Sequence, residues 1–289
     1  MTLINDPKIT IEEVKIVPQQ FCVDYFTSRD GTLIKYGMLG QGPGLIILAG
    51  GLQTAQDYLP LASHLADRYT VYATDSRGRN GSGPQGEDYS IQKEGEDAIA
   101  LLERTQASFL FGHSYGGLIA LNVARRYPLT RIALYEPAVS INGSIPSKWL
   151  PAFERSLARE DYLGALVTMI QGLQLGGKMN FLPAPIFQWL AGSFMPKDEL
   201  DAVFKVLPTV PKETREVLKL DSNGDPYADI TTDTLLMAGS ESPAFLREAV
   251  HTLESILPHP QTVLFPSLDH SAPNEMPEKL VPTLKDFFQ

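Results

Sequence analysis

The fold is decided by Ala107-Ser108-Phe109-Leu110-Phe111-Gly112-His113-Ser114-Tyr115-Gly116-Gly117-Leu118-Ile119-Ala120. Residues 109–111 are a short apolar run, the composition of a strand covered on both faces. From Leu118 onward, Leu118, Ile119, Leu121 and Val123 are spaced as on a helix that ends near Tyr127-Pro128. Between the two lies Gly112-x-Ser114-x-Gly116, so Ser114 sits on a tight strand-to-helix turn. Such a turn holds its central residue at a strained backbone angle, and only small neighbours let strand and helix pass so closely. Glycine and serine are common in loops, and the bare pattern is weak. With a strand before it and a helix after it, the pattern predicts that Ser114 is a nucleophile.

This strand–turn–helix unit resembles the α/β-hydrolase fold, and the similarity runs from about Phe21 to Phe288. The rest of the chain agrees in rhythm. Residues 21–26 and 33–39 flank Ser28-Arg29-Asp30-Gly31 and read as a β-hairpin. Apolar strands are expected at 45–49, 70–74, 109–111 and 131–136, with helices at 55–67 and 90–105, the second capped by Ser90. From 140 to about 229 the strand rhythm stops, and five helical blocks follow, punctuated by proline and glycine. Strands return at 234–238 and 262–265, around a helix at 243–257, and a helix at 277–288 closes the chain. This pattern predicts a mostly parallel, doubly wound α/β sheet formed by 1–139 and 230–289. A helical cap, 140–229, is inserted after the sixth strand, over the strand ends where such sheets bind ligands. The first twenty residues alternate weakly and suggest an arm or an edge strand.

Composition narrows the function. Acidic residues outnumber basic ones by 34 to 24, a net charge of −10, which disfavours nucleic acid and anionic membranes as partners. No leader-like segment or membrane-length apolar run is visible, so a cytoplasmic location is expected. Cys22 is the single cysteine and is expected to be a small buried group on an early strand. Asp75-Ser76-Arg77-Gly78-Arg79-Asn80-Gly81-Ser82 is glycine-rich and basic but lacks the Gly-Lys-Ser/Thr ending of a phosphate loop. It is similar to the family's Asp-x-x-Gly-x-Gly-x-Ser segment, with Asn80 in place of the second glycine; Asp75 and Arg77 read as structural. No histidine–carboxylate cluster has metal spacing, and no cofactor is expected.

A serine hydroxyl needs a base. Of the five histidines, His64 and His251 fall in helices, His259 in a Pro-His-Pro loop, and His113 reads as packing beside the nucleophile. His270 follows the last strand by a short loop, a placement similar to that of the family's catalytic histidine. The acid is less direct. The family usually carries it after the strand that follows the cap, but this chain has Gly239-Ser240-Glu241-Ser242 there, with Ser242 at the expected position. Glu241, Asp269, Asp233 or no acid remain open. Glu136 is favoured, because it ends the strand beside the nucleophile strand on the rim of Ser114. Certain dehalogenases of the fold carry their acid there, and Pro137 is expected to hold Glu136 extended. The oxyanion donors implied by the resemblance are the N–H groups of Tyr115 and Gly51. The family's His-Gly-x is Ala49-Gly50-Gly51 here, so the loop is expected to lose a brace and gain freedom.

The cap is rich in aromatic residues and methionine: Trp149, Phe153, Tyr162, Met169, Phe181, Phe187, Trp189, Phe194 and Met195. Most are expected to pack the cap helices together, and the rest point to an apolar small-molecule substrate. The resemblance thus implies a serine hydrolase of an ester or related acyl bond. Lactone hydrolysis, C–C bond hydrolysis and cofactor-free perhydrolysis share the same machinery. A lyase using His270 as base, or a ligand-binding member that does not turn its ligand over, are the readings from other classes.

Overall fold

A computed structural model of the protein describes residues 20–289. The expected amino-terminal arm therefore lies outside the described residues. Eight strands form one sheet: β1 (Cys22–Thr27), β2 (Leu33–Leu39), β3 (Gly44–Leu48), β4 (Thr70–Thr74), β5 (Phe109–His113), β6 (Arg131–Tyr135), β7 (Asp233–Gly239) and β8 (Pro260–Phe265). Their spatial order is β1-β2-β4-β3-β5-β6-β7-β8. β2 runs antiparallel to both neighbours, and every pair from β4 to β8 is parallel. Parallel strands need crossover connections, and the helices that supply them cover both faces. On one face α2 (Ile91–Thr105), α3 (Tyr115–Ala124) and α9 (Ala244–Ile256) pack over the sheet. On the other lie α1 (Leu59–Leu65) and α11 (Pro277–Phe287), with the short α10 (Ala272–Glu275) before it. The helix expected at 55–67 is a 3-10 turn, Ala55–Tyr58, running into α1.

β5 is buried along its whole length. Burying each of its large apolar side chains contributes about 1.5–3 kcal/mol. The glycines around Ser114 answer to packing. A methyl group at Gly112 would come within 2.6 Å of Gly116 O, and one at Gly117 within 2.8 Å of Pro137. Helix α3 can therefore leave β5 at this close angle only because those positions lack a side chain.

Five helices lie between β6 and β7: α4 (Leu150–Ala158), α5 (Tyr162–Gly172), α6 (Ala184–Phe194), α7 (Lys197–Val206) and α8 (Val210–Lys219). The chain entering and leaving this insertion is tied by a bridge between Ile141 and Ser222, and Asn142 N–H donates to Ser222 O at 2.9 Å. Trp149, Phe153 and Met169 pack into its core. Phe187 is buried in a smaller cluster. Phe181, Trp189 and Phe194 do not join them and stand 89%, 65% and 75% exposed. Cys22 is exposed rather than buried, because β1 is the sheet edge and its residue 22 faces outward. Among the described residues no helix is long and apolar enough to cross a membrane.

Candidate active site

Ser114 lies between β5 and α3 with φ 52° and ψ −117°, a conformation that non-glycine residues adopt only when their surroundings enforce it. The enforcement is visible. Ser114 N–H donates to Tyr135 O at 3.0 Å, and Ser114 O accepts from Gly117, Leu118 and Ala138. The side chain is left facing a cavity of about 530 Å³, which His270 also lines. A side pocket of about 90 Å³ shares Ser114 and His270. No protein hydrogen bond engages the Ser114 hydroxyl among the described residues, so it is available to a partner in the cavity.

His270 sits in the loop after β8, held by Tyr135 Oη, which donates to Asp269 O at 2.7 Å. Its Nδ1 lies 2.6 Å from Glu136 Oε2. The other Glu136 oxygen, Oε1, accepts from Gly239 N–H at 2.7 Å, and the residue is fully buried. A carboxylate only accepts, so the proton on this contact belongs to Nδ1, and in the neutral ring Nε2 is the acceptor. The other acids do not meet the ring. Glu241 is exposed and pairs with its neighbour Ser240. Asp269 accepts from the Ser271 N–H and hydroxyl. Asp233 starts β7, at the opposite end of the strand, near Arg131. Ser242, where the family usually carries its acid, is buried and its hydroxyl has no protein partner.

Glu136 is not extended. Its φ is 46°, despite the proline that follows. Glu136 N–H donates to Met237 O at 2.9 Å, and this bond together with the Gly239 contact outweighs the local preference for extended backbone.

The Tyr115 N–H belongs to the first turn of α3, where backbone donors lack intrahelical acceptors and the helix dipole favours negative charge. Gly51 lines the same cavity and faces open space. Gly50, beside it, spends its N–H on Tyr58 Oη at 3.0 Å. The loop is braced, contrary to the expectation from Ala49. Arg79 Nη1 donates to Gly50 O at 2.7 Å and to Gln53 O at 2.8 Å, while its Nη2 pairs with Glu213 of α8. Tyr58 Oη also meets Gln53 and lies 2.7 Å from His113 Nδ1. His113 is thus packed, as expected, yet also part of this brace. Burial, and secondarily the adjacent His270, pushes its imidazole well below the usual range, so it stays neutral.

Arg79 and Tyr58 escaped the sequence reading. Arg79 stands beside Arg77, which forms an ordinary structural cluster with Asp97 and Asp30, and nothing local distinguishes the two. Asn80, in place of a glycine, has φ 43°, which asparagine tolerates better than other side chains. Asp75 accepts from Ala55 N–H and Asn80 in a structural role. Among the described residues no group of three or more metal-ligating side chains gathers.

Known proteins share this layout. The family model described as alpha/beta hydrolase family matches residues 45–283. The chain is 26% identical over 254 residues to a 2-(acetamidomethylene)succinate hydrolase of Mesorhizobium japonicum, covering 86% of this chain and 88% of that protein. It is 34% identical over 112 residues to the uncharacterized hydrolase YraK of Bacillus subtilis, a match that covers 35% of this chain and spans only 41% of that protein. The crystal structure of an alpha/beta hydrolase from Sphaerobacter thermophilus superposes with a TM-score of 0.77 at 27% identity, covering 92% of this chain and all of that one. With the family model spanning most of its length and the sheet order, the strand-to-helix turn at Ser114 and the helical insertion in place, the chain belongs to the alpha/beta hydrolase family.

Proposed function

We propose that the protein is a serine hydrolase that cleaves an ester or related acyl bond of an apolar small molecule through an acyl-enzyme. Ser114 attacks the carbonyl carbon as His270 Nε2 takes its proton. Glu136 holds the ring in the required tautomer and stabilises the imidazolium that forms. The Gly51 and Tyr115 N–H groups receive the oxyanion. His270 then protonates the leaving group, and water repeats the sequence to release the acid. Residues 140–229 act as a cap that gives the cavity its apolar walls, and a cytoplasmic location fits the composition.

The observation that carries this reading is the 2.6 Å contact between Glu136 and His270 beside a serine held at positive φ on the same cavity. The acid, absent from the family's usual place, and the loop, lacking the family's histidine, each have a substitute in this reading: Glu136 and Arg79. That supports turnover over binding alone. A fluorophosphonate probe tests it. We expect labelling of the wild type at Ser114, no labelling of Ser114→Ala, and loss of p-nitrophenyl ester hydrolysis by roughly 10⁴-fold or more in that variant. Full activity in Ser114→Ala would replace the covalent mechanism with a His270 base acting alone, the lyase-like reading.

A further inference from the structure

The cavity has a charge pattern that acyl transfer itself does not demand. Among the described residues, no lysine or arginine lines it. Its walls are mostly apolar, with Leu52, Trp149, Met169, Phe187, Val210 and Val217 among them. The ionisable side chains that do reach it, apart from His113, Tyr115 and His270, are three carboxylates: Asp57, Glu213 and Glu275.

The cations that flank Glu213 are already committed. Arg79 is buried behind Glu213, and its guanidinium holds that carboxylate and two backbone carbonyls. On α8, Lys212 turns outward to Gly86 O at 2.5 Å and Glu87 at 3.7 Å, and Arg215 pairs with Glu154. A substrate carboxylate entering this cavity would lose its hydration against apolar walls and find no guanidinium or ammonium to replace it. It would also approach like charges at the rim, in a protein whose net charge of −10 already repels anions.

We propose that the site accepts uncharged acyl substrates and rejects those bearing a free carboxylate, setting this chain apart from the relative named for a succinate derivative. The inference rests on the serine-hydrolase reading for its reaction but not for its selectivity. What it adds is a substrate class: neutral esters or lactones, with half-esters of dicarboxylic acids excluded. Thr214, which lines both the cavity and its side pocket, marks a wall position where a cation would reverse the preference.

The test compares p-nitrophenyl pentanoate, mono-p-nitrophenyl glutarate and methyl p-nitrophenyl glutarate. They share one reacting group and differ in the charge at the far end. We expect kcat/KM for the half-ester to fall about 100-fold below both neutral esters, the scale of an unpaired charge in a desolvated site. Thr214→Lys should narrow that gap by about tenfold. Binding to Ser114→Ala protein, followed by tryptophan fluorescence, reads the same discrimination without turnover: dimethyl glutarate should bind more tightly than monomethyl glutarate. A half-ester hydrolysed within about threefold of its neutral methyl ester, a factor smaller than one unpaired polar contact, would overturn the proposal even with Ser114 fully active. Failure of all three esters would count against the hydrolase reading, and the binding comparison would then decide the selectivity. Equal or tighter binding of the mono-acid there would overturn it.

Discussion

Glu136 occupies an unusual backbone state for the residue before a proline, and the strain has an evident use. With φ at 46°, its side chain turns off the end of β6 toward the loop after β8, and both carboxylate oxygens find donors there. Its position as a candidate acid could be read from the order of strands. Its conformation could not, because the bonds that impose it come from Met237 and Gly239, about a hundred residues later in the chain. Replacing it with glutamine keeps the volume but presents an amide that can donate to Nδ1 and so favour the wrong tautomer. Glu136→Gln should therefore lose about 10³–10⁴-fold in kcat on a short p-nitrophenyl ester. Glu241→Gln, altering an exposed side chain bonded only to its neighbour, should stay within about twofold of wild type. Steady-state kinetics of the pair decides between the acids, and the reverse ranking would remove Glu136 from the relay.

The loop between β3 and α1 shows how an element can lose one support and gain another. Ala49 cannot brace it, but Arg79 reaches across from the segment after β4 to bond two of its carbonyls, and Tyr58 closes it from within. The same guanidinium pairs with Glu213, so the loop carrying Gly51 and the helix α8 that walls the cavity are held by one buried side chain. Lysine keeps the charge but lacks the planar fork that serves several acceptors at once. Under the proposed mechanism, Arg79→Lys should lower kcat by about 10–100-fold with KM changed far less, since displacing the Gly51 N–H would weaken the transition state more than the bound ester. Equal changes in the two constants would assign Arg79 to substrate binding instead. The helices themselves were readable from apolar spacing and the Ser90 cap, whose hydroxyl accepts from Lys93 N–H as expected. Which faces of the insertion are covered was not readable: Trp189 and Phe194 look like core residues by type and stand exposed, because α6 packs through Phe187 and Ala191.

Across the whole molecule, the insertion joins the sheet through a buried polar seam. Tyr115 Oη meets Tyr89 Oη at 2.9 Å, Tyr89 donates to Glu94 at 3.0 Å, and Glu216 of α8 accepts from Ile91 N–H at 3.2 Å. Burial first, then the nearby Asp97 and Glu213, pushes the Glu94 carboxyl up to about 8, and burial raises Asp75 to about 6. A raised acid keeps its proton in the folded chain while the unfolded chain releases it. The contribution of these two groups to stability is therefore full below the ordinary carboxylate range and declines as pH climbs toward 8, by at most about 1.4 kcal/mol per pH unit for Glu94. Glu94→Gln can still accept from Tyr89 and has no proton to lose. Between pH 5.5 and 8 the wild type should lose about 2 kcal/mol more stability than this variant in urea titrations, and parallel profiles would refute the protonated Glu94. By itself, the sequence determined the strand rhythm, the elbow serine, the histidine after the last strand and the place of the insertion. Those signals are local: buried parallel strands must be apolar, and a close strand–helix turn must be small. The conformation of Glu136, the Arg79 brace, the raised Glu94 carboxyl and a cavity that no lysine or arginine of the described residues lines were decided only by the tertiary structure, because each depends on which groups distant in the chain share one water-poor space.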